Sequence, residues 1–180
     1  MEPSDSSVSQ CFPDVDREER IGFAEVIYCP GKTDEQLRTV GRALFGEHSN
    51  VIASRATSEQ AAVLQSVDED VAYNELGRTA YLHRDKRITG KGVVAIVSAG
   101  SCDVPVAEEA ATTAEVMGNR VRRIYDVGVA GLHRILSQRN ELEEARVVIV
   151  AAGMEGALPS VVGGLVSRPV IAVPTSVGYG

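Results

Sequence analysis

The fold is decided by the stretch Gly92-Val-Val-Ala-Ile-Val-Ser-Ala-Gly-Ser-Cys-Asp-Val-Pro-Val-Ala-Glu-Glu-Ala110, in which an apolar run ends abruptly in small polar residues. The run from Val93 to Val97 is typical of a strand buried on both faces. Apolar residues resume at helical spacing from Val104, with Asp103 as the expected N-cap. The junction therefore predicts a strand that leads directly into a helix, whose free amides favour an anionic ligand. Capping and ligand contact use the same geometry, so both roles stay open for Asp103.

Strands and helices alternate along the second half of the chain. Apolar runs predict strands and amphipathic runs predict helices: strands at 93–97, 120–125, 146–151 and 169–173, helices at 104–117, 130–139 and 156–166. This alternation predicts the α/β class with a doubly wound parallel sheet, covered by helices on both faces. In such a fold ligands bind beyond the carboxyl ends of the strands.

The first half of the chain predicts a separate, smaller unit. We expect a polar tail at 1–20, a small N-terminal α/β domain at 21–88 and the doubly wound domain at 89–180. Thr33 and Gln36 form a capping box in front of a helix that runs to about Phe45. The remaining elements are expected as strands at 25–28, 51–53 and 79–83 and a helix at 58–66. His48 and His83 are expected to be solvent-exposed.

Composition excludes several classes of function. The net charge of −7 and the pI near 5.0 argue against a nucleic-acid or anionic-membrane surface. No apolar run approaches the length of a membrane span. The three cysteines are odd in number and widely spaced, which argues against a disulfide framework or a structural zinc site. A reducing, cytoplasmic setting is expected.

Residues that can bind or transform a polar ligand concentrate at the predicted strand ends. The candidate catalytic residues are Asp126, His133 and Glu155, and the candidate substrate-binding residues are Ser98, Gly100, Ser101, Cys102, Asp103, Gly153, Met154 and Gly156. Three of these keep two interpretations. His133 is either a proton-transfer residue or a helix-surface histidine, Glu155 either lines a pocket or needs a buried partner, and Cys102 is either a nucleophile or a small filler.

Four ordered segments resemble the LarB family: Ser98–Ala110, Asp126–Arg134, Ala152–Ser160 and Val173–Gly180. This family is the carboxylase/hydrolase of nickel-pincer cofactor biosynthesis and is related to the aminoimidazole ribonucleotide carboxylases of purine synthesis. The resemblance implies carboxylation of the pyridinium ring of nicotinic acid adenine dinucleotide by CO2 or bicarbonate, with hydrolysis of the phosphoanhydride. The products are pyridinium-3,5-biscarboxylic acid mononucleotide and AMP.

The resemblance also implies roles for individual residues, a metal ion and an oligomeric state. Ser101 and Asp103 would lie at the ribose and phosphate of the nucleotide, and Glu155 near the reacting ring. Asp126 and His133 would line the same pocket. Magnesium would assist the reaction, and the protein would be a homo-oligomer.

The sequence departs from the family pattern at two places. Cys102 replaces a serine, and the family's nucleophilic cysteine lies downstream of a Gly-Tyr-Gly segment that is matched here at 178–180. The chain is therefore expected to be a fragment or a truncated product, with a sheet that lacks its final elements. Two other functions stay open. One is an aminoimidazole ribonucleotide carboxylase or mutase, although Ala157 stands where those enzymes have a histidine; the other is a nucleotide-binding module without catalysis.

Overall fold

A computed structural model describes residues 11–177 and divides the chain into two units. The first unit runs to Tyr73 and includes Thr79–Arg84. The second consists of Asn74–Arg78 and the chain from Asp85 onward. Each unit has its own sheet and its own buried apolar core.

The second unit contains a four-stranded sheet in which every pairing is parallel. Its strands lie in the order β6-β5-β7-β8, with β5 (Val93–Ser98), β6 (Arg120–Ile124), β7 (Val147–Ala152) and β8 (Val170–Pro174). The carboxyl ends are aligned, because Ser98 pairs with Ala151 and Ala152 pairs with Pro174. The predicted parallel α/β sheet is confirmed, and the chain reverses its winding direction between β5 and β7.

Helices cover both faces of this sheet, as a doubly wound fold requires. Helix α4 (Val104–Val116) packs through Ala107 and Ala111 against one face. The opposite face is covered by α5 (Leu132–Ser137), α6 (Arg139–Glu144) and α7 (Ala157–Leu165).

The single helix expected at 130–139 is wrong in its extent. A 3-10 turn at Val129–Gly131 leads into α5, which ends at Ser137, and α6 begins two residues later at Arg139. Ile135 and Leu142 are both completely buried. The break allows each short helix to place one apolar side chain on the sheet as the chain crosses from β6 to β7.

The first unit contains a mixed sheet in the order β1-β2-β4-β3. Its elements are β1 (Ile27–Tyr28), α2 (Asp34–Glu47), β2 (Asn50–Ser54), α3 (Ser58–Gln65), β3 (Ala72–Asn74) and β4 (Thr79–His83). The predicted capping box is confirmed, since the Thr33 hydroxyl accepts from the Gln36 amide and the Gln36 side chain accepts from the Thr33 amide. Strand β3 has no counterpart in the prediction, because three residues give too short a pattern.

A short helix, α1 (Arg17–Ile21), occupies the end of the segment expected to be a polar tail. It ends at Gly22, whose φ of 87° is left-handed and suits glycine. Glu18 on this helix contacts the Nδ1 atom of His48 at 2.6 Å. His48 is only 7% exposed, so the expectation that it is solvent-exposed is wrong. His83 is half-buried, so the same expectation is wrong for it.

Among residues 11–177, no helix is long and apolar enough to cross a membrane.

Candidate functional site

A cavity of about 400 Å³ lies beyond the carboxyl ends of the parallel strands. Loops that follow all four strands build its wall. The lining residues are 99–103 after β5, 126 and 128–130 after β6, Ala152 at the end of β7 with 153–155 after it, and Val177 after β8, together with Arg134, Ala157 and Leu158. In a doubly wound sheet a crevice opens where the chain reverses its winding direction, which here is between β5 and β7. The volume suits a small organic ligand or one half of a dinucleotide.

Two helix starts meet at this cavity. A 3-10 turn at Ser101–Asp103 continues into α4, and Ala157 and Leu158 are the first residues of α7. The first-turn amides of a helix have no partner within it, and the helix dipole adds partial positive charge there. Ser101 and Cys102 are exposed at the first of these starts. The helix start that the sequence predicts as an anion-binding site is therefore present at α4, and α7 provides a second one.

Ser98 supports the cavity from behind rather than lining it. It is completely buried as the last residue of β5, and its hydroxyl accepts a hydrogen bond from the Asp126 amide at 3.1 Å. Asp126 has a φ of 57°, a left-handed conformation that is uncommon for any residue with a side chain. The bond holds Asp126 in this conformation, and its exposed carboxylate lines the cavity.

Arg134, rather than His133, faces the cavity. His133 is exposed on α5 and is not among the lining residues, whereas Arg134 is. The Arg134 guanidinium donates to the Asp126 carbonyl at 2.7 Å, and the same nitrogen lies 3.1 Å from a carboxylate oxygen of Asp126. The sequence pattern favoured His133 as the candidate, and its neighbour Arg134 was missed. Proton transfer by His133 stays a prediction.

Both carboxylate oxygens of Asp103 accept hydrogen bonds from other residues of the fold. Its side chain does not cap α4. One carboxylate oxygen accepts from the Gly100 amide at 2.9 Å, and the other accepts from the Thr175 hydroxyl at 2.5 Å. Asp103 is 5% exposed, although it is one of the residues around the cavity.

The loop after β7 presents Met154 and Glu155 at the mouth of the cavity. Gly153 lies so close to the following turn that a Cβ atom would be 2.0 Å from the Val177 carbonyl oxygen, so only glycine fits. Met154 has a φ of 52° and is 53% exposed. Glu155 is exposed, with no hydrogen-bond or ion-pair partner among residues 11–177. Gly156 does not line the cavity but begins α7 in a left-handed conformation.

A second ionisable cluster lies on α4 outside the cavity. Glu108 accepts hydrogen bonds from Asn74, Arg123 and Tyr125 at 2.8 to 2.9 Å. Burial alone would raise the pKa of Glu108, but these bonds favour the carboxylate and bring its pKa below the ordinary value. Burial and the bond to Glu108 raise the pKa of Tyr125. The cluster fixes β6 and the 74–78 segment to α4.

The cavity can accommodate a ligand that carries both signs of charge. The two helix starts and Arg134 favour an anionic group, while Glu155, which has no partner in the described part of the chain, favours a cationic one. Apolar residues between them, Ala99, Val129, Met154 and Leu158 among others, suit a planar ring. Among residues 11–177, no cluster of three or more His, Cys, Asp or Glu side chains could hold a metal ion.

Comparisons with known proteins agree with this architecture. The LarB/PurE-like N-terminal domain model matches residues 7–85, and the AIR carboxylase model matches residues 93–179. An uncharacterized protein of Methanocaldococcus jannaschii is 36% identical in a 175-residue alignment that covers 93% of this chain and 68% of that protein. The second unit thus carries a carboxylase-type domain. The chain belongs to the LarB/PurE family.

Proposed function

We propose that the chain carboxylates the pyridinium ring of nicotinic acid adenine dinucleotide and hydrolyses its phosphoanhydride. The observation that carries this proposal is the combination, in one cavity, of the exposed carboxylate of Glu155 with Arg134 and two helix starts. A pyridine nucleotide has a cationic ring and anionic phosphates, so its charges match these groups. Membership of the family supports the same choice.

The roles of the binding residues follow from where they lie. Arg134 and the first-turn amides near Ser101 and Cys102 bind phosphate oxygens, since they provide the positive charge at the cavity. Met154 and the apolar wall contact the ring. The carboxylate of Glu155 lies near the ring cation and accepts the proton that C5 loses when the new carbon–carbon bond to CO2 forms. Asp126 holds Arg134 in place through the contacts described above.

The ring itself needs activation, because an electron-poor pyridinium does not attack CO2. A nucleophile must first add to it and later leave, so that the ring carbon becomes electron-rich for the carboxylation step. Cys102 is the exposed thiol that lines the cavity. A Cys102→Ser variant therefore tests whether this thiol takes part: retained turnover would assign the addition to another group.

Magnesium, which the family resemblance implies, fits the cavity only together with the substrate. Mg²⁺ commonly binds one or two carboxylates, several waters and substrate phosphates. The diphosphate and waters would provide its ligands at the cavity. When bound, the ion would neutralise phosphate charge.

The test is incubation with nicotinic acid adenine dinucleotide and labelled bicarbonate in the presence of Mg²⁺. A labelled biscarboxylated mononucleotide together with AMP supports the proposal. Binding of the dinucleotide without label transfer would instead favour a nucleotide-binding module that does not catalyse carboxylation.

A carboxylase or mutase of aminoimidazole ribonucleotide is the second candidate, because the AIR carboxylase model matches residues 93–179. It predicts that label enters aminoimidazole ribonucleotide and that the dinucleotide is not consumed. Ala157 supports the first candidate, since the purine enzymes have a histidine at this position. Parallel reactions with the two substrates at equal concentration decide between them.

We also propose that the protein is a homo-oligomer. Leu132 and Leu136 are 49% and 48% exposed and lie one turn apart on α5, next to Arg134. Exposed apolar side chains on one helix face are typical of protein interfaces. Light scattering after size-exclusion chromatography measures the assembly, and a Leu132→Ser/Leu136→Ser variant should shift it toward the monomer.

A further inference from the structure

The carboxylate of Asp103 connects two loops that are far apart in the chain. Its Oδ2 atom accepts from the Gly100 amide at 2.9 Å, within the loop that follows β5. Its Oδ1 atom accepts from the hydroxyl of Thr175 at 2.5 Å, directly after β8. In the sheet, β7 lies between these two strands. The contact therefore bridges the carboxyl end of β7.

The segment from Thr175 to Val177 also holds the loop after β7, through backbone hydrogen bonds. The Thr175 amide donates to the Ala152 carbonyl at 3.0 Å, and the Met154 amide donates to the Val177 carbonyl at 3.3 Å. Gly153 packs directly against the Val177 carbonyl. A continuous series of contacts thus runs from Gly100 through Asp103 and Thr175 to Met154 at the mouth of the cavity.

We propose that Asp103 and Thr175 are positioning residues that fasten the loops after β5 and β8 across the end of β7 before a ligand enters. In this role Asp103 organises the cavity wall. Two observations favour it. The side chain is almost fully removed from solvent, since the residue is 5% exposed, and each of its oxygens already has a donor within the fold. A cavity wall that is ordered in advance lowers the entropic cost of binding.

Thr175→Val and Thr175→Ser form a matched pair of variants. Valine keeps the shape of threonine but lacks the donor, whereas serine keeps the hydroxyl. Hydrogen–deuterium exchange in the ligand-free protein is measured at residues 99–103 and 153–158. We expect exchange about tenfold faster in Thr175→Val, which corresponds to the loss of one hydrogen bond to a charged group, and exchange close to wild type in Thr175→Ser. Equal exchange in the two variants would overturn the proposal.

A binding measurement separates positioning from direct contact, and this readout rests on the proposed function. Calorimetry with nicotinic acid adenine dinucleotide should show about tenfold weaker binding for Thr175→Val and recovery for Thr175→Ser. If Asp103 contacts the ligand, Asp103→Asn will lose binding while Thr175→Val binds like wild type, and the positioning role is then wrong. If the wild-type protein does not bind the dinucleotide, the proposed function fails, and the exchange result still decides whether the two loops are fastened.

Discussion

The hydroxyl of Ser98 accepts a hydrogen bond from the amide of Asp126 at 3.1 Å, so the end of β5 holds the first residues after β6. This bond stabilises the left-handed conformation of Asp126, whose φ is 57°. A non-glycine residue in this region costs about 1 kcal/mol, which is comparable to what one hydrogen bond contributes. A group buried behind the cavity thus decides the orientation of a group that lines it.

Replacement of Ser98 by alanine should therefore loosen Asp126. The amide would lose its acceptor, and we expect the free energy of unfolding to fall by about 1–2 kcal/mol, with weaker binding of the dinucleotide. Urea unfolding and calorimetry measure the two effects. Ser137→Ala is the control, since the exposed Ser137 hydroxyl bonds only to α5 and its neighbour. A Ser98→Ala protein as stable as this control would contradict the assigned role.

Arg134 should matter for ligand binding because its guanidinium is a cation that lines the cavity. We expect Arg134→Ala to weaken binding of the dinucleotide by about tenfold or more, as for a lost charge-assisted contact to phosphate. Arg134→Lys should be intermediate, since lysine keeps the charge but not the planar fork that also contacts Asp126. Arg139→Ala, which removes only an exposed pair with Glu143, should bind like wild type. Equal affinities in all variants would exclude Arg134 from the site.

Glu155 should be required for label transfer rather than for folding. Glu155→Gln keeps the shape of the side chain but cannot accept the C5 proton, so carboxylation should fall by at least about a hundredfold. Thermal unfolding should be unchanged, because Glu155 is exposed. Glu143→Gln on α6 is the matched control. Full carboxylation by Glu155→Gln would refute its proton-accepting role.

Two glycines of the second unit should respond to alanine in opposite directions. At Gly153 the new Cβ atom would lie 2.0 Å from the Val177 carbonyl oxygen, so we expect a loss of about 1–3 kcal/mol or more of stability. At Gly163, within α7, a new Cβ atom would have no neighbouring atom within 4 Å, and alanine should stabilise the helix by up to about 1 kcal/mol. Chemical denaturation of the two variants measures both values, and a Gly153→Ala protein as stable as wild type would show that the close contact at Gly153 is not formed.

Glu108 should make the stability of the second unit depend on pH. Its pKa in the folded protein lies below the ordinary value of 4.5, so the carboxylate contributes stability at neutral pH. That contribution is complete above the pKa of the unfolded chain and is lost as the pH falls through the folded-state pKa. The stability difference between wild type and Glu108→Gln should therefore be largest above about pH 5 and shrink below about pH 4.

The control for Glu108 is Glu115→Gln, which removes a partner of the same Arg123 at a more exposed position. An exposed ion pair contributes less than about 1 kcal/mol. Unfolding measured between about pH 3 and pH 7 should thus separate the two glutamates, and parallel curves for both variants would contradict the buried role of Glu108.

The parallel sheet could be predicted from the sequence because its strands are continuous apolar runs. Val93 to Val97 can be buried on both faces only in the interior of such a sheet. The short helix α1 could not be predicted in the same way. It is five residues long and has no buried residue, so it carries no apolar periodicity, and its Glu18 finds its partner His48 thirty residues away.

The site was predictable as a set of loops but not as a set of side chains. The polar strand ends do meet at one cavity, because parallel strands bring their carboxyl ends together. Whether His133 or Arg134 faces the cavity depends on the rotation of α5, which no local pattern gives. The partner of Asp103 is Thr175, 72 residues away, and such a contact exists only once the strand order is known.

The three thiols of the chain differ in a way that has a practical consequence. Burial raises the pKa of Cys29 to about 11, and its side chain is inaccessible, whereas Cys102 is exposed on the cavity wall and Cys11 is half-buried. An alkylating reagent at neutral pH should therefore modify Cys102 first. Any molecule that enters the cavity shields that sulfur, so the alkylation rate, followed by mass spectrometry, ranks candidate ligands in the unmodified protein without knowledge of the reaction.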